Sequence, residues 1–280
     1  MTTLTTNRLV KTLADIKAAN QRALLPFLTA GYPDLDTTEA LLNDFAARGV
    51  RVCELGFPFS DPVADGAVIQ ASYTEALAKG ITSEKIFRMV KHFRDGAQSG
   101  APAQAIALVG MVSFSIVFRK GVQEFCSQAA TAGFDGLIIP DLPLDEAKEV
   151  ERVASACGLA LVMLVAPTTP PERRLEIARH SRGFVYYISV AGTTGERDRL
   201  PDATIAGVIE LRKHTDTPVC VGFGIAKAAT VKSVCDVADG AIVGSAIVHR
   251  VQQAAEKGLP REQLVKQVGE FVGELMAPIQ

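Results

Sequence analysis

Residues 50–58 read VRVCELGFP, an apolar run that does not alternate with polar positions and that ends on glycine and proline. Such a run suits a parallel sheet covered on both faces, because a sheet with one wet face would show polar residues at every second position. Seven further runs of this kind recur. They are ALLPFLTAG from Ala23, QAIALVGMV from Gln104, DGLIIPDLP from Asp135, LALVMLVAP from Leu159, GFVYYISVAG from Gly183, TPVCVGFGI from Thr217 and DGAIVGSAI from Asp239. Between them lie stretches with helical spacing of apolar residues, among them LDTTEALLNDFAARG, SEKIFRMVKHF and LDEAKEVERVASACG. Several open on a capping residue or a proline and close on glycine. Strand and helix repeated eight times predict the α/β class and a single (β/α)8 TIM barrel, one domain over residues 1–280. An open doubly wound sheet is the alternative, but no glycine-rich dinucleotide turn follows the first strand.

Two departures from regular spacing frame the barrel. An extra amphipathic helix, about Arg8 to Gln21, precedes the first strand and is expected to cap the barrel floor. The interval between the second and third strands is about twice the others and holds GFPFSDPVADGAVIQASYTEALAKG. This enlarged loop leaves the carboxyl end of a strand, the face on which barrel active sites lie.

Composition narrows the function. With 29 basic against 31 acidic residues, the formal net charge is -2, and no basic stretch marks a nucleic-acid or membrane surface. The five cysteines are scattered and never spaced C-x-x-C, which fits reduced thiols in a cytoplasmic protein. No apolar stretch approaches the roughly 20 residues of a membrane-spanning helix, and the N-terminus lacks the apolar run of a signal peptide.

Glu54 stands in the middle of an apolar strand run. It reads either as a salt-bridged core glutamate or as a proton-transfer group whose pKa is raised by apolar surroundings. Eleven residues later, Asp65 precedes a glycine at the start of a helix, where it is either a helix cap or a second carboxylate of the site. Asp61, before Pro62, is a loop-shaping or contact residue. A phosphate cradle is expected after strands seven and eight, at Gly222, Gly224, Gly244 and Ser245, with Ser245 able to cap and donate. The loop after strand six adds Gly192, Thr193, Thr194 and Gly195. None of the strand runs carries a lysine, which disfavours a strand-borne Schiff base. The four histidines show no paired metal spacing, so neither metal nor histidine chemistry is expected.

The string ELGFPFSDPVADG, with Ile69 and Gln70 after it, closely resembles the signature of the tryptophan synthase α-chain family. PFLTAGYPD, PDLP, GTTG, GFGI and GSAIV match the same family in order, over nearly the whole chain. The resemblance implies retro-aldol cleavage of indole-3-glycerol phosphate to indole and glyceraldehyde 3-phosphate in L-tryptophan biosynthesis. It implies Glu54 and Asp65 as the catalytic pair, Asp65 on the indole N–H and Glu54 shuttling protons. It places phosphate on Gly195, Gly224, Gly244 and Ser245, and Phe223 and Tyr186 on the pocket wall. Thr194 corresponds to a residue of a mobile loop, and Asp61 resembles a residue near the partner interface. The implied partner is a β chain in an α2β2 heterotetramer. That chain would carry pyridoxal phosphate, and this one no cofactor. The sequence departs from the family at Ser113 and Ser115, where a tyrosine and an asparagine are common. A free-standing indole-glycerol-phosphate lyase and a catalytically weak binding or regulatory protein that retains the barrel are the competing readings.

Overall fold

A computed structural model describes residues 7–62, 65–96, 101–189, 200–222 and 224–279. The chain opens with α1 (Arg8–Ala18), β1 (Ala23–Thr29), α2 (Leu35–Ala47) and β2 (Val52–Gly56). The enlarged interval that follows contains α3 (Ala67–Ala78), α4 (Ser83–Gly96) and the single turn α5 (Pro102–Ala105). Next come β3 (Ala107–Met111), α6 (Phe114–Lys120), α7 (Val122–Ala132), β4 (Gly136–Ile138) and α8 (Leu144–Ala156). The second half runs through β5 (Ala160–Val165), α9 (Pro171–His180), β6 (Val185–Ile188), α10 (Asp202–Arg212) and β7 (Val219–Gly222). It ends with α11 (Ala228–Cys235), β8 (Gly240–Val243), α12 (Ser245–Glu256) and α13 (Arg261–Met276).

The strands pair in sequence order, all parallel, and β8 closes on β1 from Ala23 opposite Gly240 to Pro26 opposite Val243. Each of the eight apolar runs contains one of these strands, and β1, β2, β3, β4, β7 and β8 are buried along their whole length. The helices cover them by the spacing expected of an amphipathic face. In α2, for example, Asp34 caps the first turn by accepting from the Thr37 N–H at 2.7 Å, and Thr38, Leu41, Leu42 and Phe45 form the buried stripe.

The floor is held by polar groups. Asn7 caps α1, accepting from Val10 N–H, and its side-chain amide donates to the carbonyls of Asp135 and Gly158, both at 2.7 Å. Asp135, one residue before β4, accepts from Arg8 at 2.7 Å, from Arg94 at 3.0 Å and from the Leu108 N–H at 2.9 Å. The same device recurs before β8, where Asp239 accepts from Arg212 at 2.8 Å and from the Val219 N–H at 2.9 Å. So each aspartate ties the start of its own strand to the preceding strand and to a helix. The expected floor cap is thus present, and two aspartates that the sequence left unassigned are its fasteners.

At the opposite end, Phe57 follows β2 directly and packs among Phe87, Phe125 and Phe134, with ring centroids 5.6–5.7 Å away. These offset and edge contacts join α4 and α7 to the root of the enlarged loop, which fixes the direction in which that loop leaves the barrel. Among the described residues no helix is long and apolar enough to cross a membrane.

Removing Asp135 would strand the buried Arg94 guanidinium without its carboxylate. Asp135→Ala is therefore expected to lower the unfolding free energy by about 3–5 kcal/mol. Urea denaturation checks this, and a loss within the ordinary range for surface substitutions would contradict the fastener role.

Candidate active site

Parallel strands that close in register present their carboxyl ends to one mouth, and there a cavity opens. Strand residues form its base: Phe27 of β1, Glu54 of β2, Met111 of β3, Tyr186 of β6 and Ile242 of β8. Asp65 and the first turn of α3 form one side. Gly224, Gly244, Ser245 and His249 form another.

Glu54 lies opposite Phe27 on one neighbour and Val109 on the other, and none of its surface reaches solvent. Neither carboxyl oxygen has a hydrogen-bond partner among the described residues. Among the described residues, then, Glu54 is not a salt-bridged core glutamate. Burial pushes its pKa well above the ordinary carboxylate range, because a charge there would lose its hydration with nothing to replace it. Burial likewise raises Asp65, to about 6.

Asp65 is not the cap of α3. Gly66 holds the cap position, and no side chain caps that helix. Instead the Asp65 backbone carbonyl is fastened by the Gln70 side-chain amide at 2.8 Å, which leaves its carboxyl to the cavity wall. Two tyrosines share its surroundings. The phenols of Tyr73 and Tyr186 are both pushed well up, first by burial and then by the negative charges of Asp65 and Glu54. Each phenol also lies close to a glycine at a strand end. A β-carbon on Gly56 would come within 2.6 Å of the Tyr73 oxygen, and one on Gly222 within 2.3 Å of the Tyr186 oxygen. Any larger residue at either position would push a ring out of the wall.

The expected anion cradle is present where it can be described. Gly224 follows β7 with a φ of 77°, and Gly244 caps α12. Ser245 is the first residue inside α12 and makes no capping bond, contrary to the expected capping role. A twelve-residue helix thus begins at the cavity wall, with first-turn N–H groups that have no partner inside the helix and the positive end of its dipole beside them. Phe223, Thr194 and Gly195 lie outside the described residues, as do Gly192 and Thr193.

Ser113 is a helix cap, holding the Ser115 N–H at 3.2 Å and donating to Asp141 at 2.7 Å, while Asp141 also accepts from the Phe114 N–H. Ser113 and Asp141 line a side recess that shares Asp65 and Met111 with the main cavity and also includes Asp61 and Tyr73. Asp61 itself is exposed and accepts from Ser60 at 2.6 Å.

Sequence reasoning missed Tyr73 and His249. Tyr73 looks like any aromatic in an amphipathic helix. His249 sits four residues after Ser245, one turn further on the same face of α12, a spacing that would have pointed to it.

The model of the family described as tryptophan synthase alpha chain matches residues 13–279. The chain belongs to the tryptophan synthase α-chain family. These lyases cleave indole-3-glycerol phosphate in tryptophan biosynthesis. A tryptophan synthase alpha chain of Rhodopirellula baltica is 40% identical over 269 residues, covering 94% of this chain and 95% of that one. One from Prochlorococcus marinus (strain MIT 9313) is 45% identical over 241 residues, covering 86% and 85%. In structure, the tryptophan synthase subunit alpha of Legionella pneumophila str. Paris superposes with a TM-score of 0.86 at 33% identity, covering 98% of each chain.

Both carboxyls bind their protons more tightly in the folded chain than in an unfolded one. The folded state therefore loses stability as pH rises, from the unfolded aspartate value near 3.8 through about 6 for Asp65, with Glu54 adding to the loss above its own ordinary range. Glu54→Met is expected to stabilise the protein by about 1–3 kcal/mol at pH 7.5 and by less at pH 4. Chemical denaturation at the two pH values checks this, and a destabilised variant at pH 7.5 would show that Glu54 has a compensating partner.

Proposed function

We propose that the chain runs its cleavage as a retro-aldol reaction in which Glu54 moves protons and Asp65 holds the indole nitrogen. What carries this reading is a buried carboxyl, unpartnered among the described residues, in one cavity with a second raised carboxyl and the start of α12. The protonated Glu54 gives its proton to ring carbon C3, which turns the ring into an electron sink with positive charge on N1. Its carboxylate then takes the proton of the side-chain hydroxyl. As that C–OH carbon becomes the aldehyde of glyceraldehyde 3-phosphate, the bond to C3 breaks and its electrons restore the neutral indole. Glu54 ends protonated, as it began, so one group with a raised pKa serves both transfers. Asp65, ionised above about pH 6, accepts a hydrogen bond from N1–H and stabilises the ring cation.

Tyr186 walls the ring pocket, and Gly224, Gly244 and Ser245 seat the phosphate. Phe223, Thr194 and Gly195 join the set by resemblance alone. The ring is its own electron sink, so this chain needs no cofactor. Pyridoxal phosphate belongs to a β chain that condenses indole with serine, in an α2β2 heterotetramer. Phe118 supports a partner near the mouth: it follows β3 on α6 and is 70% exposed against Phe114. Residues 1–280 act as one barrel unit in the cytoplasm, consistent with five cysteines that are all free.

Indole release from indole-3-glycerol phosphate, followed by absorbance with and without an added β chain, tests the reading. Glu54→Gln and Asp65→Asn are each expected to lower kcat by about two to four powers of ten. In the wild type, kcat/KM should fall as pH drops through about 6, where Asp65 takes up a proton. Indole formation that survives Glu54→Gln would overturn the mechanism, and turnover that a β chain leaves unchanged would favour a free-standing lyase.

A further inference from the structure

A phosphate monoester brings close to two negative charges at neutral pH, into a cavity that already holds Glu54 and Asp65. The end of α12 offers the equivalent of only about half a positive charge. Among the described residues that line the cavity there is no lysine or arginine, and His249 is the one side chain able to carry positive charge. It lies one helical turn beyond Ser245, on the helix whose N-terminus forms the cradle. The next residue along this face, Gln253, places its side-chain amide 3.3 Å from His249 Nε2. One ring nitrogen is thus engaged, and Nδ1 is left as the ring nitrogen for a ligand.

We infer that His249 is a phosphate-binding residue of this site, an imidazolium that donates from Nδ1 to a phosphate oxygen while Gln253 holds Nε2. The inference rests on the reading that phosphate seats at the start of α12. Gln253 fits both charge states of the ring. Its NH2 donates to a neutral Nε2, and with the amide turned over its carbonyl accepts from a protonated Nε2–H. The backbone N–H groups of the first turn fix the position of the phosphate, and His249 supplies the charge that they lack. A charge-assisted bond of this kind is stronger than a neutral one, so its loss should appear in binding rather than in the proton transfers. His249 therefore binds the tail of the substrate, at a distance from ring carbon C3.

The test uses the intact chain and two readouts. Inorganic phosphate is titrated by calorimetry, which requires no turnover, and indole release from indole-3-glycerol phosphate gives kcat and KM. His249→Gln keeps the polarity and removes the charge. It is expected to weaken phosphate binding and raise KM by roughly ten-fold each, with kcat moving by less than about three-fold. His249→Arg should restore phosphate binding, and Gln253→Leu should weaken it by about three-fold. Phosphate affinity and KM within two-fold of wild type in His249→Gln would overturn the inference. So would a fall in kcat with KM unchanged, or weakened binding that His249→Arg does not restore. If phosphate binding depends on His249 but the wild-type chain forms no indole, the inference stands and the retro-aldol reading falls.

Discussion

A carboxylate inside a barrel costs several kcal/mol of lost hydration unless a cation or hydrogen-bond donors replace the water. Glu54 has neither among the described residues, yet it occupies the centre of β2 with Phe27 and Val109 as its register neighbours. The protein tolerates that cost by keeping the group protonated over a wider pH range than an exposed glutamate. A buried acid that holds its proton can deliver it to an aromatic carbon, and a buried base recovers it readily. The penalty in stability and the ability to catalyse are therefore one physical fact. The remaining features of the mouth follow from it: glycines that let two phenols close the wall, and a second carboxyl raised less because it is less buried.

The two ends of the barrel divide the work. At the floor, Asp135 and Asp239 are also buried acids, but each is satisfied by an arginine and a backbone N–H. Those bonds join strand starts to helices and to α1. At the mouth, the buried Glu54 has no such partner among the described residues. The same residue type thus stabilises at one end and reacts at the other, according to whether donors surround it. The Phe57 cluster links the two, since it anchors the loop bearing Asp65 to helices packed on the barrel wall.

Much of this was legible in the sequence. Continuous apolar runs specify doubly covered strands, and a carboxylate inside one of them stands out because its surroundings are uniform. The glycines after β7 and β8 could be placed at the mouth once the strands were counted. Other features depend on positions that only folding brings together. Asp65 before a glycine reads equally well as a cap, and only the position of Gly66 at the head of α3 decides against it. Tyr73 and His249 are ordinary residues on helix faces until the fold sets the first at the side recess and the second at the main cavity. The bond from Ser113 to Asp141 joins two strand ends 28 residues apart, a pairing no local pattern encodes.

The protonation state of Glu54 in the resting enzyme is the most direct test. Infrared difference spectra between the wild type and Glu54→Gln isolate the carboxyl band of this one residue. A protonated-acid band is expected to persist at pH values where an exposed glutamate is fully ionised. A carboxylate band there, with the fold intact, would mean that Glu54 is charged and compensated, and the proposed proton donor would not exist.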